Sequence, residues 1–303
     1  MSNEIRKMYE EALDSIMNQM KKDKYVIGVL LGGSLSYDVV WEKSDIDLIV
    51  IVEDTKKPYK FHSFTENNII INASIYNRNK FMRLFESQLS SSRFHSFISK
   101  STLLFSKDES LTEYYNNMIN VGENDNNMIL VLYGAMAVAH LAKAQKWLLI
   151  KDDYMYSYYE ITHLIRILAD IEVVLNNEIP TREAIHRALK YNDNFFRKLY
   201  IDLAQEEKNP KNICKAIELI QKYLEERTCK LFNPILELLS DYGDLIGATE
   251  LHERLSKKMD IDKALLIEAF EWLVEKEKIQ KSSLPVRITT KSRIQVEEVA
   301  YCI

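Results

Sequence analysis

The sequence predicts an α/β domain built on a small mixed sheet, followed by an α-helical bundle and a short module of two helices and a β-ribbon. Three observations support this. Over the first 110 residues, helical segments alternate with short runs rich in Val and Ile. From about 126 to 241 the helical spacing is nearly continuous. The last sixty residues then run helix, helix, ribbon. The boundaries fall at 1–112, 113–241 and 242–303.

The first segment, about 3–22, is charged and amphipathic with no apolar stretch of the signal-peptide kind. "YVIGVLL" (25–31) reads as a buried strand, "DIDLIVIV" (45–52) as a second and "NIIINASIY" (68–76) as a third. "NRNKFMRLFESQLSS" then has helical spacing through Phe81, Leu84, Phe85 and Leu89, and "STLLFSKD" (101–108) is a short final strand. The polar "NNMINVGENDNN" (116–127) precedes helices at 126–150, 155–177, 181–191, 193–205, 211–228 and 234–241, with breaks at Pro180–Thr181 and Asn209–Pro210. "ATELHERLSKKM" and "DKALLIEAFEWLVEKEKI" are two more helices, and a β-hairpin is expected around Ser282–Pro285 and beyond.

Composition narrows the function. The 303 residues are 47% hydrophobic and 28% charged, as in a globular protein long enough for two or three cores. A net charge of −5 argues against a protein that coats nucleic acid, which wants a basic surface. The three cysteines, Cys214, Cys229 and Cys302, form no CxxC pair, so neither a zinc knuckle nor a disulfide framework is expected. A reducing cytoplasm is the simplest setting. The longest apolar run, 128–150, is interrupted by His140, Lys143 and Lys146 and reads as a buried helix, not a membrane span.

Only seven glycines occur in the chain, yet two stand together in "LLGGS". Gly32 and Gly33 let backbone N–H groups approach an anion closely, with Ser34 offering a hydroxyl and the positive end of a short helix nearby. Eleven positions after Ser34 comes Asp45, with Asp47 two further on. Two apart on a strand, they project from one face roughly 6–7 Å apart, while Ile46, Leu48 and Val50 enter the opposite layer. Paired carboxylates of this kind suit Mg²⁺, which keeps waters and phosphate oxygens in its shell. Ser-Asp-Ile-Asp also fits a turn leading into a strand, with Asp45 capping and Asp47 solvated.

"GGSLSYDVVWEKSDIDLIV" resembles the signature of the DNA polymerase beta-like nucleotidyltransferase superfamily: Gly-Ser, a spacer, then Asp-x-Asp, within a helix–strand–short helix–strand order. The resemblance spans roughly residues 1–110, and with a helical domain behind it the chain is most similar to the minimal nucleotidyltransferases that include aminoglycoside- and lincosamide-modifying enzymes. It implies an enzyme that moves a nucleoside monophosphate from an NTP to a hydroxyl with release of pyrophosphate. Gly33 and Ser34, with Gly32 and Ser44 beside them, would hold the triphosphate, and Asp45 and Asp47 would bind Mg²⁺. Arg78 and Lys80 follow the third strand and are candidates to neutralise phosphate oxygens.

One departure stands out. The family has a third carboxylate on a neighbouring strand, and the matching position here is Asn72, with Ser74 next on the same face. An amide is no general base and neutralises no metal charge. Either the base comes from elsewhere, or the chain is a degenerate, non-catalytic nucleotide-binding regulator. For the first case, "YMYSYYEITHLIRILADIE" (154–172) offers Glu160, three residues from His163 and so on the same helical face. In some antibiotic-modifying relatives a helical-domain glutamate serves as base. Tyr154, Tyr156, Tyr158 and Tyr159 fit either packing or stacking on a ring.

The C-terminal module reads as winged-helix-like. Glu268, Glu271, Glu275 and Glu277 lie along the helix that would enter a DNA groove, so a protein-facing or interdomain role is favoured over nucleic acid. The expected partners are thus a nucleoside triphosphate and a hydroxyl acceptor, with no membrane. Acceptor identity and oligomeric state are left open.

Overall fold

The computed structural model describes residues 2–36, 40–53, 59–88, 100–119, 123–257, 261–289, 291 and 293–303. It divides into two compact units, Met1–Val121 and Gly122–Ile303.

In the first unit, helix α1 (Ser2–Lys22) precedes strand β1 (Val26–Gly32). The one-turn helix α2 (Gly33–Ser36) follows, then β2 (Ile46–Val52), β3 (Tyr59–Glu66) and β4 (Ile69–Asn77). Helix α3 (Arg78–Gln88), strand β5 (Thr102–Ser106) and helix α4 (Glu109–Ile119) complete it. The sheet order is β3-β4-β2-β1-β5. β2 and β4 are parallel, and the other pairs are antiparallel. Chain alternation within each strand feeds two cores. On one face Ile46, Leu48, Val50, Ile71 and Ala73 meet Tyr9, Ala12, Leu13, Ile16 and Met17, the apolar stripe of α1. On the other, Leu30, Ile49 and Ile51 meet Phe81 of α3 and Leu111 and Tyr115 of α4. A β-carbon at Gly28 would lie 2.7 Å from Leu111 Cδ2, so the glycine lets α4 press onto β1.

Strand β3 is the element that sequence pattern passes over. Its residues Phe61, His62 and Ser63 are exposed, as befits the sheet's edge, so no apolar run marks it. It joins β4 through Asn67 and Asn68, both at positive φ (52° and 62°), which a two-residue hairpin turn demands. The expected strand at 45–52 starts one residue later, with Asp45 just outside it. Leu89 lies outside the described residues.

The second unit is helical: α5 (Glu123–Leu149), α6 (Tyr154–Leu175), α7 (Ala184–Tyr191), a helical stretch over 193–205 whose middle, Arg197–Asp202, is π-helical, α8 (Pro210–Leu231) and α9 (Asn233–Tyr242). Asp153 caps α6 by accepting from the Tyr156 N–H, and Asn209 caps α8 with Pro210 in its first turn. Much of the polar segment 116–127 is helical, forming the end of α4 and the start of α5. The stretch Asn126–Leu149 is long and apolar enough to cross a membrane, and 67% of its most apolar window is buried inside the protein.

The chain ends in β6 (Ile246–Gly247), α10 (Ala248–Ser256), α11 (Lys263–Glu275), β7 (Gln280–Arg287) and β8 (Gln295–Cys302). The three strands form one sheet in the order β6-β8-β7. The hairpin turn lies beyond Arg287, not at Ser282–Pro285, which sit inside β7; Pro285 is tolerated because β7 is an edge strand. One hydrophobic core runs from Met128 of α5 through Phe232, Phe270 and Tyr301, so bundle and terminal module share it.

Candidate functional site

The glycine turn and the aspartates meet at one end of the first unit's sheet. Gly32 pairs with Asp47, Asp47 pairs with Asn72, and Asn72 pairs with Ser63. These four form a row across β1, β2, β4 and β3 on the face that further along carries Leu30, Ile49 and Ile51. The helices that cover those apolar residues leave Asp47 and Asn72 half-buried.

Gly33, at φ +71°, turns the chain from β1 into α2. A β-carbon there would stand 2.4 Å from Asp47 Oδ2, so the glycine is required both by its backbone angle and by the carboxylate packed on it. Ser34 follows in the same turn, half-buried, and Ser36 closes it by donating to the Gly33 carbonyl at 2.7 Å.

Asp45 is delivered by a short turn. The Ser44 N–H donates to the Trp41 carbonyl at 3.0 Å, and the Trp41 N–H donates to the Ser44 hydroxyl at 3.2 Å. The Tyr9 hydroxyl of α1 donates to the Ser44 carbonyl at 2.6 Å, tying the turn to the sheet. Burial, and then the nearby charge of Asp45, push the Tyr9 phenol above its ordinary pKa. Asn72 Nδ2 donates to Asp45 Oδ2 at 2.6 Å, and Ser63 Oγ donates to Asn72 Oδ1 at 2.8 Å.

Among the described residues no group of three or more His, Cys, Asp or Glu is placed to hold a metal ion. The donor set is therefore two carboxylates beside a glycine turn. That suits Mg²⁺ accompanied by a phosphate ligand, which supplies the remaining oxygens, and does not suit a resident structural ion.

Arg78 and Lys80 are elsewhere. β4 runs parallel to β2, away from Asp47, so Arg78 lies six strand residues beyond Asn72, about 20 Å off. Its Nε donates to Asp108 Oδ2 and its Nη2 to Ser110 Oγ, both at 2.6 Å. The Lys80 backbone N–H caps onto Asn77 Oδ1 at 2.8 Å. Both residues thus serve the opposite end of the sheet. Sequence order placed them next to a site strand but did not reveal its direction.

Glu160 belongs to the second unit and is buried. Its Oε2 lies 2.8 Å from His140 Nδ1, a partner one helix earlier that sequence spacing did not suggest. His163 stacks on His140 with ring centroids 6.1 Å apart, and Tyr159 meets His163 edge-on at 4.6 Å. Tyr156 and Trp147 extend the same run of rings, their centroids 4.2 Å apart. The tyrosines at 156 and 159 therefore pack on one another and stay exposed on one side.

No known family model matches the sequence, and no functionally curated protein matches it. Among solved structures, one from Exiguobacterium sibiricum 255-15 described as a nucleotidyltransferase-like protein matches with a TM-score of 0.68 at 18% identity, covering 97% of this chain and 98% of that one. The chain shares the fold of that structure over nearly its whole length.

Proposed function

We propose that the chain is a Mg²⁺-dependent nucleotidyltransferase that moves a nucleoside monophosphate from an NTP, such as ATP, to a hydroxyl. The observation that supports this best is the packing of the Asp47 carboxylate onto Gly33, which joins an anion-accepting turn to an acidic pair. Asp45 and Asp47 hold the ion, which when bound would neutralise phosphate charge and align the triphosphate. Gly33 and Ser34 seat the phosphate oxygens, with Gly32 allowing close approach and Ser44 shaping the turn that aims Asp45. The acceptor oxygen bonds to the α-phosphorus, the bond to pyrophosphate breaks, and the hydroxyl proton passes to a base. That base is unassigned, and Glu160 is the first candidate because a helical-domain glutamate has this role in some antibiotic-modifying relatives.

The fold likeness and the two-part build also fit the small-molecule-modifying branch of this superfamily. The order β6, α10, α11, β7, β8 fits a winged-helix-like module, and its glutamates favour a protein-facing role. A cytoplasmic setting fits the unpaired cysteines.

A second reading is favoured by Asn72: a nucleotide-binding regulator without turnover. Incubation with labelled NTPs and Mg²⁺ separates the two. Pyrophosphate release abolished by Asp47→Asn supports the enzyme, and Mg²⁺-dependent binding without release supports the regulator. Mg²⁺-nucleotide binding that survives Asp47→Asn unchanged would defeat both.

A further inference from the structure

Asn72 occupies the place where a third carboxylate would stand, and its contacts determine what it does there. An ionised carboxylate accepts hydrogen bonds and cannot donate them. The Asn72 amide facing Asp45 at 2.6 Å therefore presents its NH₂ group, whichever way the amide is first drawn. That leaves Oδ1 turned toward Ser63, whose hydroxyl donates to it at 2.8 Å. Both ends of the amide are engaged, and the direction of the chain Ser63 → Asn72 → Asp45 is set by the acid at its end.

A residue that ligated a metal ion together with Asp45 would have to turn an oxygen into the space between them. Here that oxygen would face the Asp45 carboxylate acceptor to acceptor, and the Ser63 bond would be lost. The space instead holds an N–H with its partial positive charge pointed at Asp45 Oδ2. The amide performs toward Asp45 the service that a second cation would perform, without the ion.

We infer that Asn72 is a cation surrogate, so that the site takes one divalent ion with its nucleotide instead of two. This rests on the reading of Asp45 and Asp47 as nucleotide-metal ligands, and the test separates the two claims. Equal amounts of the full chain and α,β-methylene-ATP are titrated with Mn²⁺, and the unbound ion is counted by its paramagnetic resonance signal. The wild type is expected to saturate at one Mn²⁺ per complex and Asn72→Asp at two. Two ions on the wild type, or one on a folded Asn72→Asp that still binds the analogue, overturns the inference. Should Asn72→Asp fail to fold, Asn72→Ala decides the question. A surrogate releases Asp45 Oδ2, so the single ion binds about three- to tenfold more tightly. A true ligand lost from position 72 would weaken it instead, and that result also overturns the inference. If the wild type binds no Mn²⁺-analogue complex, or Asp47→Asn leaves the first ion undisturbed, the underlying nucleotide reading fails as well.

Discussion

The Asp47 carboxylate fills the space that any side chain at residue 33 would need, because an added β-carbon there would meet Oδ2 at 2.4 Å. The two motifs that stand out in the sequence are thus one piece of structure. Gly33→Ala must displace Asp47 and also bear a φ of +71° that L-residues disfavour. We expect a loss of about 1–3 kcal/mol in unfolding free energy. Mg²⁺-nucleotide affinity should fall far more, at least a hundredfold by calorimetry. A variant that binds as well as wild type would disconnect the glycine from the acidic pair.

Arg78 and Asp108 make the converse case. The Ser110 hydroxyl and then the Arg78 guanidinium hold the Asp108 carboxyl down at about 2, against an ordinary 3.8. A depressed acid adds stability that is complete above about pH 4 and fades as pH falls toward 2. Urea titrations should show Asp108→Asn with a shallower acid decline than wild type. Arg78→Ala should lose roughly 1 kcal/mol at neutral pH, the pair being only partly shielded from water. Nucleotide affinity should stay within twofold, which would be wrong if Arg78 contacted phosphate.

These expectations show what could be read from sequence. Two aspartates alternating with Ile and Leu declare a half-exposed strand end, and a glycine pair declares a turn, because both are local facts of backbone geometry. The edge strand β3 was missed because its exposed Phe61, His62 and Ser63 alternate no differently from a loop. Arg78 was read beside the site because only sheet topology reveals that β4 carries it away from Asn72. Glu160 was seen with its helical neighbour His163, but its closest partner, His140, is twenty residues back on another helix. Non-local pairings of that kind leave no periodic trace.

Asp170 supplies a pH test in the second unit. Burial raises its carboxyl to about 6, although Arg166, bonded to it at 3.1 Å, pulls the other way. Between about pH 4 and 6 the folded protein keeps a proton that the unfolded chain has released, so stability falls as pH rises through that window. The fall from this group is about 2–3 kcal/mol at most. Asp170→Asn should flatten the difference between chemical denaturation at pH 4.5 and at pH 7.5. An unchanged difference would show that Asp170 ionises normally.

Tyr223 and Glu172 test the helical core. The phenol donates to Glu172 Oε2 at 2.6 Å, with both residues buried. Burial and the glutamate's charge raise the phenol well above its usual range, so it remains a donor at any physiological pH. Tyr223→Phe takes that donor from a buried carboxylate and should lower stability by about 2–3 kcal/mol. Adding Glu172→Leu should restore part of the loss, since an apolar pair leaves no stranded charge. Simple additivity in the double variant would contradict the pairing.

The row from Ser63 to Gly32 draws one residue from each of the four strands β1 to β4. No single hairpin can present it, because each member is contributed by a different strand. Ligand capture by this end of the molecule therefore reports on the pairing of all four strands. A newly made chain gains the protection of its ligand only once the last of these four has docked.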